Sequence, residues 1–263
     1  MSVKKLLSDM RKANEAFGLI EDGDRIAVGL SGGKDSTLLL YCLSLFQKLC
    51  QNVYGIDFDI IGIHINLGFG EEDMEPLWEF LNMHCIEYCI EDSRIAEMLD
   101  LNRKNGKIQC SLCSKFKKGA VINVAKKLGF NKVAFGHHAD DAIETMFMNM
   151  IYGGRIATFD PKMHLDNSDI DFIRPFCLSF ESEIKKTGIK LGIPVVKSGC
   201  PNDGFTKRSE IKAILKGIYH EYPMAKDNFL LALLNGKQFN LFFDKLASEN
   251  GNGYIAKIAD KEQ

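Results

Sequence analysis

No apolar run in these 263 residues reaches the roughly 18 that a membrane-spanning helix needs. The opening "MSVKKLLSDM" has too short an apolar stretch for a secretory leader. A cytoplasmic location is therefore expected, with no membrane partner. There is no excess of charge: 33 Lys and Arg face 35 Asp and Glu, a net of −2. That excludes a uniformly basic nucleic-acid binder and leaves room only for a local basic face. Internal repeats and low-complexity tracts are also missing. What remains is ordinary for a globular chain, 46% hydrophobic and 26% charged, long enough to bury one sizeable core. Eight cysteines in a cytosolic setting point to thiols, metal or catalysis rather than disulfides.

Strand-like and helix-like segments alternate along the chain. An N-terminal helix within 1–24 precedes "RIAVGL", the first strand, and a helix from Asp35 to Leu49. "FDIIGIHIN" is a near-continuous apolar run, as expected of a parallel strand buried on both faces. A helix around Glu72–Met83, a strand "IEYCI", a polar stretch ending in "GKIQC" and a helix over Ser114–Leu128 follow. "KVAFG", the helix "ADDAIETMFMNMIYG", "FIRPF", a helix over Glu181–Leu191, "IPVV" and a helix over Lys207–His220 complete a core spanning 25–224. A helical tail occupies 225–263. The pattern is that of an α/β fold with a doubly wound, mostly parallel sheet, whose ligands bind at the carboxyl ends of the strands.

"LSGGKDS", Leu30 to Ser36, stands at such an end. A Walker A loop needs four residues between its glycines and a hydroxyl residue after the lysine. Here three residues separate Gly29 from Gly33, and Asp35 follows Lys34. The physical content of an anion site survives: strand, glycine turn, then a helix N-terminus. His64 and Asn66 close the second strand, and Gly136, His137, His138, Asp140 and Asp141 stand at and after the end of "KVAFG". Together these turns read as a nucleotide pocket. Taken singly, His64 is equally well a packed core residue, and Asp140 and Asp141 helix-start carboxylates favoured by the dipole.

The cysteines divide. Cys42, Cys50, Cys85 and Cys89 lie in apolar patterns and read as small buried hydrophobes. Cys110 and Cys113 form "CSLC" at the mouth of a helix, where two thiolates can share one metal or cluster. A redox pair, half a zinc site and part of an iron–sulfur site all remain open, although zinc wants four ligands and the chain has no second CxxC. Cys200, in "KSGCPND", can reach the same rim, with Cys177 in reserve.

"LSGGKDS", "CSLC" before a Lys-rich helix, "GHHADDAIETMFMNMIYGG", "IRPF" and "GCPND…KR", in this order, resemble the PP-loop tRNA thiolation enzymes, and among them the 2-thiocytidine-forming type. The resemblance runs from Arg25 to Tyr222. It implies a sheet of the adenine nucleotide alpha hydrolase-like type and a core domain of PP-loop ATPase and thiolase character. It further implies that Ser31, Gly32, Gly33, Lys34, Asp35 and Ser36 hold the triphosphate of ATP, and that Cys110, Cys113 and Cys200 carry a [4Fe–4S] cluster. ATP would adenylate a pyrimidine C2 carbonyl in the anticodon loop of tRNA, and sulfur would then displace the adenylate. In that chemistry Mg²⁺ is held through Asp35 with Asp140 or Asp141, Lys34 assists electrostatically, and Lys117 faces the reacting base. Lys115, Lys117, Lys118, Lys126 and Lys127, with Lys207, Arg208, Lys212 and Lys216, would supply a phosphate-binding face for tRNA. A cysteine desulfurase or another donor provides the sulfur. "NFLLALLNGKQFNLFF" caps the core or serves a homodimer contact. A 2-thiouridine-forming enzyme, a lysidine-type ligase working without sulfur, and a non-catalytic nucleotide or metal sensor are the alternatives.

Overall fold

The structure is a computed structural model and describes residues 2–70, 73–103, 108–196 and 207–236. In chain order its elements are α1 (Ser2–Phe17), β1 (Asp24–Leu30), α2 (Lys34–Tyr54), β2 (Phe58–Asn66), α3 (Glu75–Met83), β3 (Tyr88–Asp92), α4 (Ile95–Leu101) and α5 (Cys110–Lys127). Then come β4 (Lys132–Ala134), α6 (Ala139–Gly153), β5 (Lys162–Leu165), β6 (Ile170–Ile173), α7 (Glu181–Leu191), α8 (Lys207–Glu221) and α9 (Ala225–Leu234). The sheet has the order β3-β2-β1-β4-β6-β5. Every pairing is parallel except β5 with β6. From β1 the chain winds outward through β2 and β3, then returns to the other side of β1 at β4. A topological switch point therefore lies between β1 and β4, where a crevice opens beyond the strand ends.

Alternation along β1 divides the core between two faces. Ile26, Val28 and Leu30 pack with Leu38, Leu39 and Phe46 of α2, Leu6 and Met10 of α1, and Ile184 of α7. Ala27 joins Ile63 and Ile65 of β2 and Val133 of β4 beneath Val121 and Val124 of α5. Each fully buried leucine contributes about 1.5–3 kcal/mol relative to exposure. A third cluster, Ile143, Ile211 and Leu215, holds α6 to α8, with Phe229 and Leu230 of α9 against it. Among the described residues no helix is long and apolar enough to cross a membrane.

Several sequence expectations shift. α2 runs past Leu49 to Tyr54 because its stop is Gly55, left-handed at φ 66 and donating its N–H to the Cys50 carbonyl. α5 begins at Cys110, not Ser114, so "CSLC" lies inside the first turn. α4 falls in a stretch read as polar; it buries only Ile95 and Leu99, one turn apart. "IPVV" is not a strand. The hairpin partner β5 covers the outer edge of β6, and Val196 bonds instead to the Gly32 carbonyl. Cys85 is exposed in a left-handed turn after α3 rather than buried. Cys177 is buried in the face formed by α1, α2 and α7, whereas Cys113 packs in the other face. Cys177 is thus no partner for Cys113, and burial pushes its thiol up to about 12.

Candidate active site at the sheet switch point

β1 delivers the chain to a turn whose hydroxyls organise it internally. Ser31 N–H donates to Ser36 Oγ at 3.2 Å, Ser36 Oγ donates to the Gly33 carbonyl at 3.0 Å, and Thr37 Oγ1 does so at 3.2 Å. Gly32 is left-handed, φ +75, which a side chain would strain. Gly33 is the N-cap of α2 and offers no side-chain cap. The first N–H groups of α2 therefore need outside acceptors, and an anion suits them.

The turn opens on a cavity of about 280 Å3. Gly29, Ser31, Asp35 and Ser36 form one side, His64 and Leu67 another, and Lys117, Val121, Phe135 and His137 the remainder. His64 Nδ1 lies 3.2 Å from the Leu30 carbonyl, and its ring meets Trp78 edge-on at 5.6 Å. Gly136 permits close contact between the exits of β4 and β1: a Cβ there would sit 3.0 Å from the Asp35 carbonyl carbon. His137 Nδ1 is buried with no hydrogen-bond partner in the structure. Burial, joined by the charges of Arg174 and Lys118, lowers its pKa to about 4 against the pull of Asp141. At neutral pH it is an uncharged ring with an unspent polar atom at the cavity wall.

Asn66 does not line this cavity. Its amide donates to Asp92 at 2.9 Å and accepts from Gly68 N–H at 3.1 Å. Asp140 and Asp141 do not line it either. Asp140 accepts Glu181 N–H at 2.7 Å and pairs with Lys226 at 2.5 Å. Asp141 closes a capping box with His138 and pairs with Arg208 at 2.7 Å. In this arrangement helix capping and two cations, Lys226 and Arg208, claim these carboxylates in place of the expected sharing of Mg²⁺ with Asp35. Among the described residues, no three His, Cys, Asp or Glu side chains gather to hold a metal. Lys34 Nζ lies 3.1 Å from the Asp35 carboxylate and 3.6 Å from Glu181 Oε1, and Glu181 Oε2 takes Lys212 at 2.6 Å.

α5 forms the opposite wall. Positions 110, 113, 117 and 121 fall on one stripe of this helix, and Lys117 and Val121 reach the cavity. At 1.5 Å per residue the CxxC turn starts roughly 6–10 Å further along the same helix. Cys113 is buried beside α4 in the cluster that includes Ile108. No acidic residue stands in the first turn of α5, so the donor set and its helix-start location suit thiolate ligation. The side chain of Cys110, and Cys200 altogether, lie outside the described residues.

Of the anticipated basic face on α8, Arg208 and Lys212 bind carboxylates. Lys207 lies over the Tyr152 ring at 4.3 Å. On α5, Lys115 and Lys126 are exposed, and Lys127 pairs with Glu91 at 3.4 Å. Sequence reasoning missed Val121, Phe135 and Glu181. Val121 was readable as the next position on the Lys117 stripe, but nothing local signals that Glu181 approaches Lys34.

The PP-loop domain family matches residues 3–198. The tRNA-cytidine(32) 2-sulfurtransferase of Pelobacter propionicus is 34% identical over 234 residues, 88% of this chain and 86% of that protein. Its namesake from Ralstonia nicotianae is 34% identical over 98% of this chain and 82% of its own. Among solved structures, the U34-tRNA thiolase of Methanococcus maripaludis with its [4Fe–4S] cluster superposes with a TM-score of 0.67 at 23% identity, covering 86% of this chain and 76% of that one. That last likeness concerns the fold. The glycine turn, the parallel sheet that carries it and these matches agree, and the chain belongs to the PP-loop family.

Proposed function

We propose that this protein is an ATP-dependent tRNA sulfurtransferase that converts a cytidine C2 carbonyl into a thiocarbonyl, as the names of its relatives state for them. One observation carries the reading. The helix that starts with Cys110 and Cys113 also supplies Lys117 to the wall of the glycine-turn cavity.

Carbonyl oxygen leaves poorly, so it must first be made part of a better leaving group. In the proposed step the C2 oxygen bonds to the α-phosphorus of ATP and pyrophosphate departs. Sulfur then bonds to C2, and AMP carries the oxygen away. The N–H groups at the start of α2 bind the triphosphate, with Lys34 beside them, and Mg²⁺ enters with the nucleotide. Lys117 stabilises charge on the oxygen passing from carbon to phosphorus. Neutral His137 offers its unspent nitrogen to the nucleotide or the base. Cys110, Cys113 and Cys200 would hold a [4Fe–4S] cluster, which when bound supplies an open iron able to carry the incoming sulfur. A cysteine desulfurase or similar donor replenishes that sulfur.

Comparing tRNA nucleosides from a deletion strain and its parent by mass spectrometry tests the reading. Loss of 2-thiocytidine is expected, restored by the intact gene but not by Cys113→Ala. Unchanged thionucleosides would overturn it, and selective loss of 2-thiouridine would move the protein to the other branch.

A further inference from the structure

Residues 193–196 leave α7 after Gly192 and reach the glycine turn without joining the sheet. Ile193 anchors the near end: it is buried, and its N–H donates to the Gly188 carbonyl at 2.9 Å. At the far end Val196 N–H donates to the Gly32 carbonyl at 3.0 Å. The side chain adds a contact, since a Cβ on Gly32 would stand 3.0 Å from Val196 Cβ.

That carbonyl belongs to the peptide joining Gly32 to Gly33. A trans peptide is planar, and its C=O and N–H point in opposite directions. Holding the oxygen toward Val196 therefore fixes where the Gly33 N–H points. Inside the turn that N–H has only a long contact, 3.4 Å, to Ser31 Oγ, and Ser31 lines the cavity. Two consecutive glycines have no side chains to enforce this orientation, and the Val196 N–H adds a restraint from outside the turn to those its own hydroxyls supply.

We propose that Val196 is a positioning residue of the nucleotide turn: its backbone N–H locks the Gly32–Gly33 peptide so that the Gly33 N–H is presented to the triphosphate. The inference rests on the ATP reading above and extends it to a residue outside the glycine motif.

Val196→Pro removes the donor, whereas Val196→Ala keeps the donor and removes the side chain's outer carbons. In pyrophosphate release, Val196→Pro is expected to raise KM for ATP about tenfold, as for one lost hydrogen bond, with kcat changed less than about threefold. Val196→Ala should stay within about twofold of the parent. Equal effects of the two substitutions, or a loss confined to kcat, overturn the inference. Amide exchange of the unmodified protein, with and without a non-hydrolysable ATP analogue, provides a check that needs no variant. The Val196 amide should slow together with that of Gly33. Slowing over residues 33–36 with none at Val196 overturns the clamp while leaving ATP binding intact, and a parent protein that binds no nucleotide overturns both.

Discussion

Lys34 Nζ stands 3.6 Å from Glu181 Oε1, so the only lysine of the glycine turn meets a carboxylate from the start of α7. Glu181 is shared: its other oxygen holds Lys212 of α8 at 2.6 Å. Despite burial, these two lysines keep its carboxyl below the usual range. A triphosphate must therefore draw Lys34 from an ionised competitor that also repels it. Glu181→Gln is expected to tighten ATP binding about three- to tenfold in magnesium-free, low-salt buffer, measured by calorimetric titration. Because the Lys212 pair is half exposed, the loss of stability should stay within about 1 kcal/mol. Unchanged or weaker ATP binding in a folded variant would show that Glu181 does not compete for Lys34.

Gly136 and Gly62 separate a site effect from a core effect. A Cβ at Gly136 would meet backbone, 3.0 Å from the Asp35 carbonyl carbon, and backbone of the turn cannot step aside without moving the turn. Gly136→Ala should weaken ATP binding roughly ten- to a hundredfold. At Gly62 the added carbon would lie 2.6 Å from Leu30 Cδ1 and 2.7 Å from Leu40 Cδ2, both side-chain atoms in the core. Gly62→Ala should cost about 1–3 kcal/mol by overpacking and leave the folded protein's ATP affinity within about twofold. Denaturant melts paired with nucleotide titrations distinguish the two outcomes, and a reversed pattern would refute the assignment of Gly136 to the turn.

Glu144 makes stability fall with rising pH. Burial, reinforced by the charge of Asp141 and opposed by Arg208, lifts its carboxyl to about 7. Between about pH 4.5 and 7 the folded protein holds a proton that the unfolded chain has released. Stability therefore declines as pH rises through that window. Glu144→Gln should be more stable than the parent by about 1–3 kcal/mol at pH 8, with the difference vanishing near pH 4. Urea denaturation at both values measures it; a glutamine variant that is less stable at pH 8 would mean that the Arg208 guanidinium, 3.6 Å from Glu144 Oε2, outweighs desolvation.

The sequence by itself determined most of the alternating elements, the parallel winding and the glycine turn. The apolar run of β2, Phe58–Asn66, and the helix α6, Ala139–Gly153, are visible as local apolar patterning. That signal reports burial along one segment and nothing about what the segment meets. Tertiary structure alone decided that Asp140 and Asp141 serve Glu181, Lys226, His138 and Arg208 rather than the cavity. It also decided that Cys177 lies across the sheet from Cys113, and that "IPVV" ends on Gly32. The reason is common to all three. Hydrogen bonds and ion pairs are short-ranged, so a polar group's partner is set by which distant segments fold within about 3 Å of it, and no pattern in its own neighbourhood encodes that.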